Sequence, residues 1–304
     1  MFHRELSHSV HESRGNAIGP IRSSVKRQSR RTVLAVRVLL LLCLFLLLYA
    51  WTIEPYWIEV TRHEARFKHL PAEFDGLAIA HLSDVHIGVY GRRERETLRL
   101  LRDLRPGVVV ITGDFMLSGS DPAGVQKFLR ELSALHTPFG LWAVLGNHDH
   151  EDGLASGDDA FRTLFREAGA AVLINEGGRL GKGLDTISFV GVDDPSTGRD
   201  KLVQALRGMQ RTPFAILLSH SPEIFPKADP VRFDLVLAGH THGGQVRVPG
   251  VGPLWLPDGT EPYGSGWFDG MSARMYVSRG IGTSHLPIRL FCRPEIAVIT
   301  LRRG

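Results

Sequence analysis

Two patterns of apolar residues alternate along this chain beyond its first fifty positions. Short, mostly unbroken runs, Leu77 to Leu82, Val108 to Thr112, Leu141 to Leu145, Phe214 to Leu218 and Leu235 to Ala238, are bounded by Gly, Pro or polar residues. Strands buried on both faces read this way. Between them, residues 92–104 (Leu98, Leu101, Leu104), 123–135 (Val125, Phe128, Leu129, Leu132) and 159–168 (Phe161, Leu164, Phe165) carry apolar side chains at helical spacing, which predicts crossover helices. After about residue 240 the sequence turns strand-rich, including Arg274 to Ser278 and Ile296 to Leu301. The alternation predicts an α/β fold of two packed mixed sheets with helices outside. Residues 54–304 are enough for one large core, so a single domain is expected there.

The N-terminal region follows a different rule. Val38 to Trp51 is uninterrupted and leucine-dominated; taken over 33–53 the stretch makes a helix of ~31 Å, which spans a bilayer. Arg37 lies near its entry end, where it can snorkel to the headgroups. Tyr49, Trp51, Tyr56 and Trp57 gather at the other end like an interfacial belt. Ahead of the span, residues 1–32 hold Arg4, Arg14, Arg22, Lys26, Arg27, Arg30 and Arg31 against Glu5 and Glu12. This Ser/Arg-rich tail is expected to be disordered and, by the positive-inside rule, cytoplasmic, with residues 54–304 facing outward from a single-pass inner or plasma membrane anchor. A cleaved signal peptide is the alternative, since Ser29-Arg30-Arg31 resembles a twin-arginine export motif. The poor small-x-small site at Leu48-Tyr49-Ala50 and the leucine density favour an uncleaved anchor.

Charge then excludes one class of partner. The chain carries a net charge of +4, but eight basic and two acidic residues lie in positions 1–53, leaving 28 basic against 30 acidic beyond. The folded part therefore has no broad basic footprint for nucleic acid. Cys43 falls in the span and Cys292 near the C-terminus, so no disulfide framework is expected.

Eight side chains of metal-ligand type stand after the apolar runs: Asp84 and His86, Asp114, Asn147 and His148, His220, and His240 and His242. Singly, Asp84-x-His86 or Gly113-Asp114 reads as a turn, and a lone His220 or His148 as a hydrogen-bonded imidazole. Together, in order, each at a strand end, they point to a two-metal site for phosphate-ester hydrolysis. Carboxylate, carboxamide and imidazole donors without thiolate suit manganese, iron or zinc. Asp114, central in the order and able to bridge through two oxygens, is the expected shared ligand. Two ions about 3.5–4 Å apart can share a hydroxide and clamp the entering and departing oxygens of an in-line displacement.

Asp-x-His, Gly-Asp, Gly-Asn-His-Asp, a lone His and Gly-His-x-His, from Leu77 to His242, resemble the calcineurin-like metallophosphoesterase superfamily. Leu70-Pro71 with Phe74-Asp75-Gly76, Gly191-Val192-Asp193-Asp194-Pro195, Gly243-Gly244-Gln245-Val246 with Pro253-Leu254, and Arg279-Gly280-Ile281-Gly282 with Pro294-Glu295-Ile296 are similar to its bacterial membrane-associated or exported phosphodiesterase branch. The resemblance implies a four-layer α-β-β-α sandwich. It also implies one divalent ion on Asp84, His86, Asp114 and His242, a second on Asp114, Asn147, His220 and His240, and His148 as the group that approaches the phosphate.

One departure is Leu117, where many members place the carboxylate that orients the catalytic histidine; Asp149 is the substitute candidate. Ser118-Gly119-Ser120 supplies no arginine of the kind protein phosphatases need. His150 and Glu151 are expected in a solvated loop, Val246 to Gly266 in a substrate-selecting or plain surface loop, and Arg279 and Arg289 as structural ion-pair partners. The leading reading is a membrane-anchored phosphodiesterase or phosphomonoesterase acting on a lipid or envelope phosphoester. A UDP-2,3-diacylglucosamine-type pyrophosphate hydrolase and a non-catalytic metal-binding scaffold are the alternatives.

Overall fold

The computed structural model describes residues 19–117, 122–151, 158–207, 209, 211–231 and 233–304. It falls into two units, one through Leu47 and one from Leu48 onward. The first is helical. Helix α1 (Gly19–Thr52) covers the expected span and begins well before it, so the expectation of a disordered tail is corrected from Gly19 on. Once a helix is nucleated, each added residue gains a backbone hydrogen bond, and polar residues can extend it. Residues 1–18 lie outside the described residues. Arg30–Tyr56 is long and apolar enough to cross a membrane.

The second unit runs β1 (Glu59–Phe67), β2 (Ala78–Leu82), α2 (Arg92–Leu104), β3 (Val108–Thr112), α3 (Pro122–Ser133), β4 (Leu141–Val144), α4 (Asn147–Glu151), α5 (Asp158–Glu167), β5 (Ala170–Val172), β6 (Glu176–Lys182) and β7 (Asp185–Gly191). It continues through α6 (Leu202–Arg207), β8 (Ala215–Leu218), α7 (Phe225–Ala228), β9 (Leu235–Ala238), β10 (Arg247–Val248), β11 (Gly252–Pro253), β12 (Gly266–Asp269), β13 (Arg274–Val277) and β14 (Glu295–Arg303). One mixed sheet has the order β1-β14-β2-β3-β4-β5 and the other β12-β13-β9-β8-β7-β6; β10 and β11 form a separate hairpin. Each predicted strand and helix is present to within one or two residues at its ends.

The unbroken apolar runs are explained by three cores. Along β3, Val108 and Val110 face the space between the sheets while Val109 and Ile111 face α2, α3 and α5. Along β9, Leu235 and Leu237 face the same inter-sheet space, and Val236 and Ala238 pack with α7. Alternate side chains thus enter different cores, which leaves these strands apolar except where buried polar groups pair, as His81 of β2 and Thr112 of β3 do at 2.9 Å. The four layers are helices, sheet, sheet, helices. Across the central layer Trp142 of β4 stacks on Phe189 of β7, with ring centroids 5.0 Å apart and an interplanar angle of 15°.

Strands the apolar runs did not mark lie largely at the edges. β1 is amphipathic, with Ala65 and Phe67 buried among exposed charges, and it is completed by nine-residue parallel pairing to β14. β6 is held as a hairpin partner of β7. Because Phe189 is fully buried between the sheets, Phe189→Ala is expected to cost about 3–5 kcal/mol, read as a lowered midpoint in guanidinium denaturation followed by circular dichroism.

Candidate metal centre

Parallel strands carry their C-terminal ends to one edge of each sheet, and the loops leaving those ends meet across the interface. Asp84 and His86 follow β2, Asp114 follows β3, Asn147 and His148 open α4 after β4, His220 follows β8, and His240 and His242 follow β9. Backbone bonds continue the ladders past the strands: Asp84 N–H donates to the Gly113 carbonyl (3.0 Å), His86 N–H to that of Asp114 (3.0 Å), and Gly239 N–H to that of His220 (2.8 Å). Asp84, His86, Asp114, His240 and His242 all adopt positive φ, between 45° and 68°. Non-glycine residues hold that conformation only where surrounding contacts enforce it, and such strain gathers at functional sites.

All seven predicted ligands converge. Asp84, His86 and His242 form one group of facing donor atoms and Asp114, His220 and His240 a second. Asp114 Oδ2 links them, lying 3.4 Å from both His86 Nε2 and His220 Nε2. His242 Nε2 is 3.4 Å from Asp84 Oδ1 and 3.1 Å from His86 Nε2. His220 Nε2 is 3.2 Å from Asn147 Oδ1 and 3.0 Å from His240 Nδ1. Two rings are fixed from behind: His220 Nδ1 meets the Thr112 carbonyl at 2.8 Å and His86 Nδ1 the Met116 carbonyl at 3.3 Å. That leaves the Nε2 lone pairs of both aimed into the centre.

The electrostatics fit a cation. Burial holds His86 down to about 3 and His240 to about 4, and drives His242 well below the usual imidazole value, so these rings are neutral and each keeps one ring nitrogen with a free lone pair for a ligand. Burial pushes Asp84 up to about 6, with Asp114 adding to it. Asp114 and His220 form the opposed pair. Burial alone would raise Asp114 and lower His220, yet each holds the other in its charged form, Asp114 below the carboxylate range and His220 above the imidazole range. A divalent ion in that position would replace the proton His220 otherwise keeps.

Two glycines leave the room. A Cβ on Gly146 would collide with Asp114 Oδ1, and one on Gly239 would collide with Ser83 Oγ and Asp84 Oδ2.

His148 sits beside the group. Its backbone N–H donates to Asp114 Oδ1 (3.0 Å), its ring is 5.1 Å from that of His86, and it lines a cavity of about 250 Å³ with Asp114, Asn147, His240 and His242. Asp149 does not take the place left by Leu117. Its buried carboxylate accepts the N–H groups of Asp114 (2.8 Å), Phe115 (2.8 Å) and Gly146 (2.9 Å) and so ties the β3 loop to the β4 loop. Burial and the Asp114 charge push it up to about 7, against the pull of those amides.

Two further expectations change, those for His150 and Arg289, and the one for Arg279 holds. His150 is not solvated: it is buried, with Nε2 2.6 Å from Asp193 Oδ1, while the Glu151 side chain and Ser118-Gly119-Ser120 lie outside the described residues. Arg279 is an ion-pair residue, 2.8 Å from Glu59 and 3.3 Å from Glu295. Arg289 is not; fully buried, it donates to the carbonyls of Gly282, Arg279 and Cys292 at 2.6, 2.8 and 3.1 Å, a role that only the folded loops create. The far cavity wall is Gln245, Trp255, Pro257, Ser284 and His285, of which the sequence had marked the Val246 to Gly266 loop but not Ser284 or His285. Only the fold brings residue 285 back to residue 245, through paired bonds between Gln245 and the Ser284 backbone (2.7 and 2.9 Å).

The sequence model of the family described as calcineurin-like phosphoesterase matches residues 77–244. An uncharacterized metallophosphoesterase, YkuE of Bacillus subtilis, is 32% identical over 84% of this chain and 89% of its own length. Phosphodiesterase YaeI of Escherichia coli is 30% identical over 82% of this chain and 90% of its own. A Bos taurus transmembrane protein with metallophosphoesterase domain is 30% identical over 95% of this chain and 66% of its own. The chain belongs to the calcineurin-like metallophosphoesterase family and is a metal-dependent phosphoester hydrolase with a dinuclear divalent-metal site. The non-catalytic scaffold is set aside on that ground.

Two outcomes test the geometry. Gly146→Ala is expected to displace the Asp114 carboxylate and lower bound metal below two ions per chain by elemental analysis. His81, buried beneath the site on β2, is held down to about 4 from an ordinary 6.5. The unfolded chain therefore binds the extra proton between those values, so stability should fall as pH drops from about 6.5 to about 4, by roughly 3 kcal/mol for this group. Denaturant titrations of wild type and His81→Asn across that window check the sign, the variant showing the shallower dependence.

Proposed function

We propose that Asp84, His86, Asp114 and His242 hold one divalent ion and Asp114, Asn147, His220 and His240 the other, in a phosphodiesterase or phosphomonoesterase acting on a lipid or cell-envelope substrate. The observation that carries the assignment is the equal 3.4 Å distance from Asp114 Oδ2 to a ring nitrogen in each group. When bound, such ions acidify water to supply the nucleophile and offset the charge gathering on phosphorus. Asp114 shares one oxygen between the groups, and its other oxygen accepts the His148 N–H, which fixes the start of α4 relative to the centre. His148, which lines the cavity, would protonate the departing oxygen. Neutral His86, His240 and His242 offer lone pairs without a competing proton. Manganese, iron and zinc all suit the donor set.

The helix over residues 33–53 supports anchoring in an inner or plasma membrane, and the basic residues before it support an extracytoplasmic catalytic unit. With the full chain in detergent and manganese, hydrolysis of bis-p-nitrophenyl phosphate or p-nitrophenyl phosphate is expected. Asp114→Asn should lower kcat/KM at least about 10³-fold and reduce bound metal, while His148→Ala should lower kcat about 10²–10⁴-fold with metal retained. An unchanged rate in Asp114→Asn overturns the assignment.

A further inference from the structure

We propose that the rim of the metal cavity is a bilayer-docking surface, so that the site takes its phosphoester from the plane of the membrane; this rests on the reading of residues 33–53 as an anchor. The two segments forming the far cavity wall end in exposed apolar side chains. Leu254 and Trp255 are 65% and 57% exposed beside the β10–β11 hairpin, and Leu286 and Phe291 are 61% and 53% exposed on the loop that begins at His285. The two segments are one surface. Val246 bridges to Leu290, Arg247 N–H donates to the Leu290 carbonyl (2.9 Å), and the Trp255 ring meets the His285 ring edge-on at 6.2 Å.

That surface is fastened to the end of the apolar helix. Arg289 N–H donates to the Ala50 carbonyl (2.9 Å), and the Cys292 N–H is taken by the Glu54 carboxylate. Trp51, Ile53 and Trp57 continue the exposed apolar residues there. If Ala50 lies where the span meets water, loop 285–291 lies at the same depth, because a backbone hydrogen bond allows no gap between them.

Charge complementarity selects the occupant. Arg92 and Arg95, with Tyr56, Trp57, Thr52, Ile53 and the Glu96–Arg99 ion pair, line an open cavity of about 620 Å³ at that end, a net excess of two guanidinium groups. Arg92 lies over the Tyr56 ring at 5.5 Å and Arg293 over the Trp57 ring at 4.2 Å. Guanidinium groups held among interfacial aromatics, next to exposed leucine and phenylalanine, match anionic headgroups above acyl chains. An aqueous protein partner would leave the helix end and its aromatics unexplained.

The test uses the full chain in nanodiscs of phosphatidylcholine and phosphatidylglycerol, in a Cys43→Ser background. An environment-sensitive fluorophore is placed at Leu286→Cys, Val251→Cys and, as a control, Leu184→Cys in the β6–β7 turn at the opposite end of the sheet. Lipids spin-labelled near the glycerol end of the acyl chain should quench the label at 286 severalfold more than at 184, with 251 between or equal to 286. Equal, weak quenching at 286 and 184 overturns the proposal. The same samples assayed with bis-p-nitrophenyl phosphate separate the two claims: quenching without hydrolysis leaves the docking surface standing and removes the proposed function, and hydrolysis without quenching does the reverse.

Discussion

Everything at this site turns on one buried carboxylate placed between imidazoles from both sheets. Asp114 leaves β3 in the first sheet, and the rings that flank it come from β2 of the same sheet and β8 of the other. Removing a carboxylate from water is costly unless positive charge or hydrogen bonds offset it. Here the offset comes from His220 and the His148 N–H, so loops leaving the two facing sheets are joined at the group proposed to bridge the ions.

The loops around Asp114 show how that arrangement is maintained. Asp149 collects four backbone N–H groups from two loops, and Arg289 collects carbonyls from the β13–β14 connection and from His242. Neither lies where a substrate would touch it. They brace the loops that carry Asp114 and His242, two of the five site residues at positive φ, a conformation worth of order 1–3 kcal/mol of strain each. A buried charge satisfied by backbone groups resists rotation more than an apolar contact does, because moving it leaves several polar atoms unpaired at once.

The same loops connect chemistry to location. Arg289 joins the metal-side loops through its guanidinium and Ala50 through its backbone. The catalytic unit and the end of the apolar helix therefore share a residue.

The sequence by itself determined the buried strands, the crossover helices, the apolar helix and the seven side chains proposed as ligands, because each is written in local pattern: unbroken apolar runs, 3.6-residue spacing, and polar residues at run ends. It missed β1 and β6, whose edge positions demand only half-buried alternation; the partner of β1 is β14, at the far end of the chain, whereas β6 is a Gly-rich arm of a hairpin with β7. It could not assign Asp149 or Arg289, since nothing local distinguishes a carboxylate that binds backbone amides from one that orients a histidine, or a guanidinium on carbonyls from one in an ion pair. It passed over His285 for the same reason. Those roles depend on which loops meet, and that was decided only when two sheets packed face to face and brought residues far apart in the chain within a hydrogen bond of one another.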